Sequence, residues 1–324
     1  MESLAKRRLV IVTGRCHPVL AASVADLLGV ELTEANLREF ADGEIHCRID
    51  ESIRGAHVFI MQTHASPVND SVMEQLIMID AAKRASAKSI TAVIPNYGYA
   101  RQDRKTAGRE PITAKLLADM LQTAGATRVL SVDFHSGQIQ GFFDVPVDHL
   151  VAAPVLEAYL KANADPRDLV VVAPDAGRVK VAERYAQHLG CELALVHKTR
   201  PRDRVNVAEA RHIVGEVDGR HCVLIDDMID TAGTIVAACD LLKAHGAAEI
   251  WVMATHAVFS PPAVDRLFNA PISRVIVTDT LPLPPEKRFE KLEVLSIAPI
   301  LANAISAIFD DTSVSDIFGG ENLL

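Results

Sequence analysis

Short apolar runs rich in β-branched residues recur along the whole chain, and they limit the folds open to it. Leu9 to Val12, Val58 to Met61, Ile90 to Ile94, Val129 to Val132, Leu169 to Val172, Leu193 to Val196, Cys222 to Ile225, Ile250 to Met253 and Val275 to Val277 each have the length and composition of a buried strand. Between many of them lie stretches with helical period and recognisable ends, so the pattern is that of βαβ units and a mostly parallel sheet. Composition agrees: of 324 residues 49% are hydrophobic but only 5% aromatic, a Val, Ile, Leu and Ala balance that suits parallel sheets covered by helices. The length points to two domains. Strand and helix alternation restarts after Gly141 to Val147, which puts the expected boundary near residue 150.

Three helices are predicted from their ends. Ser71 with Glu74 three residues on reads as a capping box, followed by a stripe of Val72, Leu76 and Ile79 that Met73 and Ile77 widen. Thr113 after Pro111 reads as an N-cap, with Leu116, Leu117, Met120, Leu121 and Ala124 as the buried face and Gly125 as the stop. Ile235, Ala238, Cys239 and Leu242 repeat the pattern before Gly246. These apolar positions are core rather than ligand contacts.

A net charge of -9 argues against general nucleic-acid binding, which needs a basic surface, so any anion has to be held locally. Five scattered cysteines without a C-x-x-C pair read as reduced core thiols. Met1 to Arg8 is charged and runs straight into Leu9 to Val12, too short for the apolar core of a signal peptide. No apolar run approaches the roughly 20 residues that span a bilayer. The expectation is a cytoplasmic protein bound neither to a membrane nor to nucleic acid.

The sharpest motif is His221-Cys-Val-Leu-Ile-Asp-Asp-Met-Ile-Asp-Thr-Ala-Gly-Thr234, an apolar strand that ends in carboxylates and a small-residue turn into a helix. Backbone N–H groups from Thr231, Ala232, Gly233 and Thr234 can converge on a phosphate at the helix N-terminus, where unpaired donors and the dipole favour an anion. The Thr231 and Thr234 hydroxyls add donors. Asp226 and Asp227 can accept from vicinal ribose hydroxyls, at the carboxyl end of a strand where ligands of open α/β sheets gather. A phosphorylated sugar fits this chemistry; a turn whose Asp and Thr residues only cap the helix is the plainer alternative, although capping needs one acceptor and not three acidic residues.

Other loops carry charge or chelating groups. His135 and Asp175 follow the strands ending at Val132 and Ala173. A histidine so placed serves equally as a satisfied core side chain. Arg101, Arg104, Lys105 and Arg109 concentrate positive charge in an acidic chain, either as an anion funnel or as a solvated basic turn. Phe40-Ala-Asp-Gly-Glu44 also suits an ordinary Asp-Gly hairpin. Lys198-Thr-Arg-Pro-Arg-Asp-Arg204 follows the run Leu193 to Val196 and reads as a lid or as a hydrated surface loop.

Taken together, Phe40-Ala-Asp-Gly-Glu44, Tyr99-Ala-Arg-Gln-Asp-Arg-Lys105, the His135 and Asp175 loops, the Asp226 to Thr234 stretch, Thr255-His-Ala-Val-Phe-Ser260 and Ser313-Val-Ser315 closely resemble the motifs of ribose-phosphate pyrophosphokinases, in the family's order and over nearly the whole chain. The Asp226 to Thr234 stretch alone also resembles the loop of type I phosphoribosyltransferases. The resemblance implies an α/β fold of two tandem phosphoribosyltransferase-like domains, each a mostly parallel sheet flanked by helices. Residues 1–150 would carry the ATP loops, with the C-terminal segment 310–324 a candidate to join them, and residues 151–309 the ribose 5-phosphate loop and catalytic lid. The activity implied is transfer of the pyrophosphoryl group of ATP to ribose 5-phosphate.

Under this resemblance Asp226, Asp227, Asp230, Thr231, Ala232, Gly233 and Thr234 hold ribose 5-phosphate, and Arg101 and Gln102 hold ATP. Phe40 lies on the adenine face while Asp42 and Glu44 accept from its amino group, reaching a neighbouring subunit. His135 and Asp175 anchor Mg²⁺ on the ATP phosphates, an assignment resting on the likeness because a histidine is an unusual partner for a hard cation. Lys198 and Arg200 match the Lys-x-Arg pair of the catalytic flexible loop and would neutralise charge in the transition state. A ring-like homohexamer, inhibited by ADP and activated by inorganic phosphate, is also implied, with Ser52, Arg54, Gln140 and Ser313 around the regulatory site.

Two departures stand out. Arg178 occupies the position where many family members have a second glycine after Asp-Ala-Gly, and the lid carries Asp203 and Arg204 before Asn206. Two other readings compete. A phosphoribosyltransferase would use the same sugar loop, but the full-length match and ATP-type loops speak against it. A catalytically silent regulatory subunit would be expected to lose Lys198, Arg200, His135 or Asp175, all of which are present.

Overall fold

All nine apolar runs lie in β-strands, because their β-branched and leucine side chains suit a sheet buried on both faces under helices. The computed structural model describes residues 7–199 and 210–318. The chain divides into two units, Met1–Val151 with Thr280–Pro282 and Ile297–Leu324, and Ala152–Asp279 with Leu283–Ser296.

The first unit contains β1 (Leu9–Thr13), α1 (Pro18–Leu28), β2 (Leu32–Thr33), β3 (Ala35–Glu39), β4 (Ile45–Ile49), β5 (His57–Met61), α2 (Val68–Arg84), β6 (Ser89–Ile94), α3 (Thr113–Ala124), β7 (Arg128–Val132) and β8 (Val147–Leu150). Its sheet runs β2-β1-β5-β6-β7-β8, with every neighbouring pair parallel, while β3 and β4 form a separate antiparallel hairpin. The second unit contains α4 (Ala153–Asn163), β9 (Leu169–Ala173), α5 (Val179–Leu189), β10 (Glu192–Thr199), β11 (Ala210–Val214), β12 (His221–Ile229), α6 (Gly233–Ala244), β13 (Glu249–Ala257), α7 (Ala263–Asn269), β14 (Arg274–Thr278) and β15 (Leu292–Leu295). Its sheet runs β11-β10-β9-β12-β13-β14-β15 and is parallel except for the β10–β11 pair.

The division after Val151 falls beside the expected residue 150, but the return to the first unit begins at Ile297 instead of 310. Helix α8 (Ala298–Phe309) buries Ile300, Leu301, Ala304 and Ile305 and packs on α1, so this segment, expected in the second domain, belongs with the first.

Two helix ends differ from expectation. Helix α2 starts at Val68, and its N-cap Pro67 offers no side chain, so Ser71 and Glu74 lie inside the helix and form no capping box. Ser71 instead returns its hydroxyl to the Val68 and Ala65 carbonyls. In α3, Thr113 is the first helical residue instead of the cap, and its hydroxyl donates to Gln102 Oε1 at 2.5 Å. The buried face of α3 is Ala114, Leu117, Ala118 and Leu121, whereas Leu116 and Met120 are exposed, as is Met73 on α2. Gly125 ends α3 as expected.

Glu74 is buried because it closes a polar network. Its carboxylate accepts from the Arg15 amide at 2.7 Å, from Arg15 Nε at 2.5 Å and from Gln62 Nε2 at 2.8 Å. The loop after β1 approaches Gln62 so closely that a Cβ on Gly14 would lie 2.3 Å from Gln62 Oε1, so any larger residue there would displace the Gln62 amide from this network. Glu74→Ala leaves a buried amide donor and the Arg15 amide without an acceptor, and is expected to destabilise the fold by about 2–3 kcal/mol, given roughly 1–3 kcal/mol per orphaned buried group. A lowered urea midpoint at unchanged m-value would register this, and an unchanged midpoint would contradict it.

The five cysteines are unpaired, and burial pushes the Cys222 thiol up to about 11 and Cys239 to about 12, as inert core thiols require. Among the described residues no helix is long and apolar enough to cross a membrane.

Candidate active site

In the second sheet β10 lies on one side of β9 and β12 on the other, so the connections leaving β9 and β12 diverge at the carboxyl ends of these strands. Such a switch point opens a crevice in α/β sheets. Pairing with β13 carries β12 on to Ile229, which places Asp226 and Asp227 within the strand and Asp230 just beyond it. Ala232 then takes a left-handed conformation at φ 60° and α6 begins at Gly233. The first turn-closing bond recorded there is Val236 N–H to the Ala232 carbonyl at 2.9 Å, so the amides of Gly233, Thr234 and Ile235 precede it at the helix N-terminus. Thr231 and Thr234 are exposed beside them. The motif thus sets two strand-end carboxylates in the same segment as the start of a helix.

Asp175 ends the connection from β9. Its Oδ1 accepts from the Gly177 amide at 2.9 Å, fixing a short 3₁₀ turn, Ala176–Arg178. That turn aims Arg178 at the strand-end acids: Nε lies 3.0 Å from Asp226 Oδ1, and Nη2 contacts Asp227 Oδ1. The three side chains are 17%, 20% and 7% exposed, so this fork of ion pairs lies largely out of water. Burial, followed by the charge of Asp227, pushes the Asp226 carboxyl up to about 7, and Arg178 opposes the shift. Arg266 on α7 donates to the Thr231 carbonyl at 2.9 Å and brings a further guanidinium to the turn.

In the first unit the loop after β6 is set by a buried imidazole. His64 Nδ1 accepts from the Gly98 amide at 2.9 Å and Nε2 faces Gln75 Oε1 at 2.8 Å, while burial lowers its pKa to about 4 and keeps it neutral. Beyond this anchor the Gln102 amide donates to the Tyr99 carbonyl at 2.8 Å, and Arg101 and Gln102 are exposed at the start of α3. His135 follows β7 and is half-buried, next to Phe134, whose amide donates to His149 Nε2 at 2.9 Å. Phe40 is 49% exposed at the tip of the β3–β4 hairpin, edge-on to His46 at 5.9 Å, and Gly43 turns the tip at φ 90°. The Glu44 amide donates to Asp42 Oδ1 at 3.2 Å. The segment is therefore an Asp-Gly hairpin in structure, with an aromatic ring and two acids left at its tip.

Two family models match the chain, the N-terminal domain of ribose phosphate pyrophosphokinase over residues 9–125 and the phosphoribosyl synthetase-associated domain over residues 201–319. The ribose-phosphate pyrophosphokinase of Streptomyces avermitilis is 54% identical over 98% of both chains, and that of Mycobacterium leprae is 53% identical over 98% of this chain and 97% of its own. The chain belongs to the ribose-phosphate pyrophosphokinase family. A crystal structure of phosphoribosylpyrophosphate synthetase from Mycobacterium smegmatis superposes with a TM-score of 0.90 at 52% identity, covering 94% of this chain and all of the other. The two-unit α/β architecture is therefore that of a pyrophosphokinase.

The remaining family positions are placed unevenly. Lys198 lies within β10, opposite Arg211 in the antiparallel ladder with β11, and not in a loop beyond the strand. Pairing with β11 extends β10 past the apolar run that marked its expected end. Arg200, Asp203, Arg204 and Asn206 lie outside the described residues. Arg54 donates to the Ser86 hydroxyl at 3.0 Å and Arg8 to the Ser52 carbonyl at 2.5 Å. His57, a few residues on, meets the Phe309 ring edge-on at 5.7 Å, which brings the Ser52–Arg54 segment to the end of α8, shortly before Ser313. Gln140 sits on the 3₁₀ turn Gly137–Phe142, where its amide donates to the Gly137 carbonyl at 3.0 Å.

Sequence reasoning missed the groups that hold these loops. Arg15 Nη2 pairs with Glu39 at 2.9 Å while its Nε meets Glu74, tying the turn end of β3, next to Phe40, to α2. Arg178 was visible only as a departure from the family pattern, and nothing in its local sequence indicates its partners 48 and 49 residues away.

Proposed function

We infer that this pyrophosphokinase transfers the pyrophosphoryl group of ATP to the 1-hydroxyl of ribose 5-phosphate, giving 5-phosphoribosyl 1-pyrophosphate and AMP. The full-length match at 54% identity carries this reading, and the strand-end acids beside the start of α6 support the placing of its sugar site there. In it the 5-phosphate takes the α6 amides and the Thr231 and Thr234 hydroxyls, while Asp226 and Asp227 accept from the ribose diol and Asp230 borders the turn. ATP is held by Arg101 and Gln102, with its adenine against Phe40 and its amino group toward Asp42 and Glu44. The O1 oxygen bonds to the β-phosphorus as the bridge to the α-phosphorus breaks and AMP leaves with the bridging oxygen. Lys198 and Arg200 balance the charge that builds up, since such transfers depend mainly on positioning and electrostatics.

Mg²⁺ is the expected cofactor, and His135 and Asp175 are its candidate protein ligands. Among the described residues no three or more His, Cys, Asp or Glu side chains cluster as a metal cage. Magnesium prefers oxygen ligands and is commonly held by one or two carboxylates together with substrate phosphates, so Asp175 would suit it chemically. Bound there, the ion would neutralise phosphate charge.

A homohexamer is proposed from the family likeness, supported by apolar side chains left exposed on the first unit, among them Leu116 and Met120 on α3 and Val19 and Leu27 on α1. In such a ring the Phe40 hairpin serves a neighbouring subunit. Inhibition by ADP and activation by inorganic phosphate would act through Ser52, Arg54, Gln140 and Ser313. The protein is proposed to be cytoplasmic, with no membrane or nucleic-acid partner.

The pH dependence follows from Asp226. Its carboxyl is raised in the folded protein, so it becomes protonated, and loses acceptor capacity for a hydroxyl, as pH falls through about 7. Affinity for ribose 5-phosphate should therefore decline below neutrality, and the carboxyl's share of that decline should vanish in Asp226→Asn, which leaves only the titration of the substrate's own phosphate near pH 6. Identical profiles for both proteins would contradict this.

The activity itself is tested with ribose 5-phosphate and MgATP in the absence of any purine or pyrimidine base. A pyrophosphokinase releases AMP in step with sugar consumption. A phosphoribosyltransferase or a silent regulatory subunit releases none.

A further inference from the structure

A guanidinium already occupies the acceptors assigned to the ribose diol. Arg178 spans the two acids, one nitrogen on Asp226 Oδ1 at 3.0 Å and another on Asp227 Oδ1. Asp226 Oδ1 also accepts from the Asp227 amide at 2.8 Å. A carboxylate oxygen has two lone pairs, so that atom has its full set of donors without any sugar. With 17% of its side chain exposed, the arginine is largely shielded from water where it meets the acids.

The arrangement has a chemical likeness to the substrate. A guanidinium offers two parallel N–H donors to a pair of acceptors, and a cis-diol offers two O–H donors to the same pair. The fork is also held from its own side, since the Arg178 amide donates to the Asp175 carbonyl at 3.2 Å within a turn capped by the Asp175 side chain. It is thus delivered to the acids by the connection that carries the candidate metal ligand.

We propose that Arg178 is an internal occupant of the sugar site, a latch over Asp226 and Asp227 that ribose 5-phosphate displaces when it binds. This rests on the reading of that site given above. Arg178 keeps the two neighbouring acids paired while no sugar is bound, which avoids two unpaired carboxylates in a largely dry pocket. The sugar then binds against a competitor, and its affinity is lower than the acceptors alone would give. Release of the fork frees the Ala176–Arg178 turn, so that sugar binding reaches the Asp175 connection through one side chain.

The test measures ribose 5-phosphate binding by calorimetry to the full-length protein, with Mg²⁺ and a non-hydrolysable ATP analogue present, at about pH 8.5 so that both acids are ionised. Arg178→Ala should bind the sugar phosphate about tenfold more tightly than wild type, the change expected if one charge-assisted contact no longer has to be broken. Arg178→Lys, whose single ammonium does not bridge both acids as a fork, should fall between the two. Affinity for the ATP analogue should be the same in all three. Inorganic phosphate, which has no diol, should show no tightening in Arg178→Ala, and this separates a latch from a general change of charge or fold. Equal or weaker sugar affinity in both variants overturns the latch and makes Arg178 a fixed support of the acids. Failure of the wild-type protein to bind ribose 5-phosphate at all removes the site reading, and the latch with it.

Discussion

Lys198→Ala and Arg200→Ala are each expected to lower kcat by about two to three orders of magnitude, the range found when a donor aimed at developing charge is removed, while KM for ATP and ribose 5-phosphate stays within a few-fold. In the proposed mechanism their contacts form chiefly as charge moves from the β-phosphorus onto departing AMP, and a contact made only in the transition state changes kcat and not ground-state binding. The backbone of Lys198 lies near the end of β10, where it pairs with Arg211 on β11. The double variant should cost less than the product of the single losses, because the two groups act on one charge. Steady-state kinetics with each substrate varied would decide the matter. A rise in KM at unchanged kcat would make the pair simple binding residues.

Asp227→Ala should weaken ribose 5-phosphate binding by between about ten- and a hundredfold, since hydrogen bonds to a charged group are worth roughly 1.5–3 kcal/mol each. Asp227 is 7% exposed and lies within β12 between Asp226 and Met228, which pair with Ala254 and His256 on β13, so a strand and not a loop sets its position. Affinity for an ATP analogue should not change. Calorimetry that finds normal sugar affinity would take Asp227 out of the site. Because Arg178 also binds Asp227, the loss of an acceptor is partly offset by a weaker hold on Asp226, which is why the expected range is broad.

Much of the fold could be read from the chain because parallel strands buried on both faces are continuous apolar runs, as in Leu169 to Val172 and Cys222 to Ile225. The elements that escaped are short or only half-buried: β2 has two residues, and β8 and β15 have four each, nearly all half-buried. Ser71 and Glu74 imitated a capping box because the motif is local, whereas the Glu74 carboxylate is claimed by Arg15 and Gln62, 59 and 12 residues away. The face of α3 was misjudged because apolar residues lie on both sides of it, and only packing selects Leu117 and Leu121 over Leu116 and Met120. Helix α8 was placed in the wrong unit because nothing in an apolar helix names the partner it covers.

The strand-to-helix turn was legible for the opposite reason. Such a turn is built from consecutive residues, and Asp230 to Thr234 contain all of it. What surrounds it was not. Arg178 and Arg266 reach the turn from a different connection and a different helix, and their long side chains leave no periodic trace. The same holds for Arg15, which links Glu39 beside the hairpin turn to Glu74 on α2. Groups that act by contact are read from sequence more readily than groups that position them.

The most direct test of the central claim follows the oxygen at C1. Ribose 5-phosphate labelled with ¹⁸O at its 1-hydroxyl, incubated with MgATP and this protein, should give 5-phosphoribosyl 1-pyrophosphate with the label between C1 and the β-phosphorus, seen as an isotope shift of that phosphorus in ³¹P NMR, together with unlabelled AMP. Label appearing in AMP, or production of ADP and a sugar bisphosphate, would show attack at a different phosphorus and contradict the account.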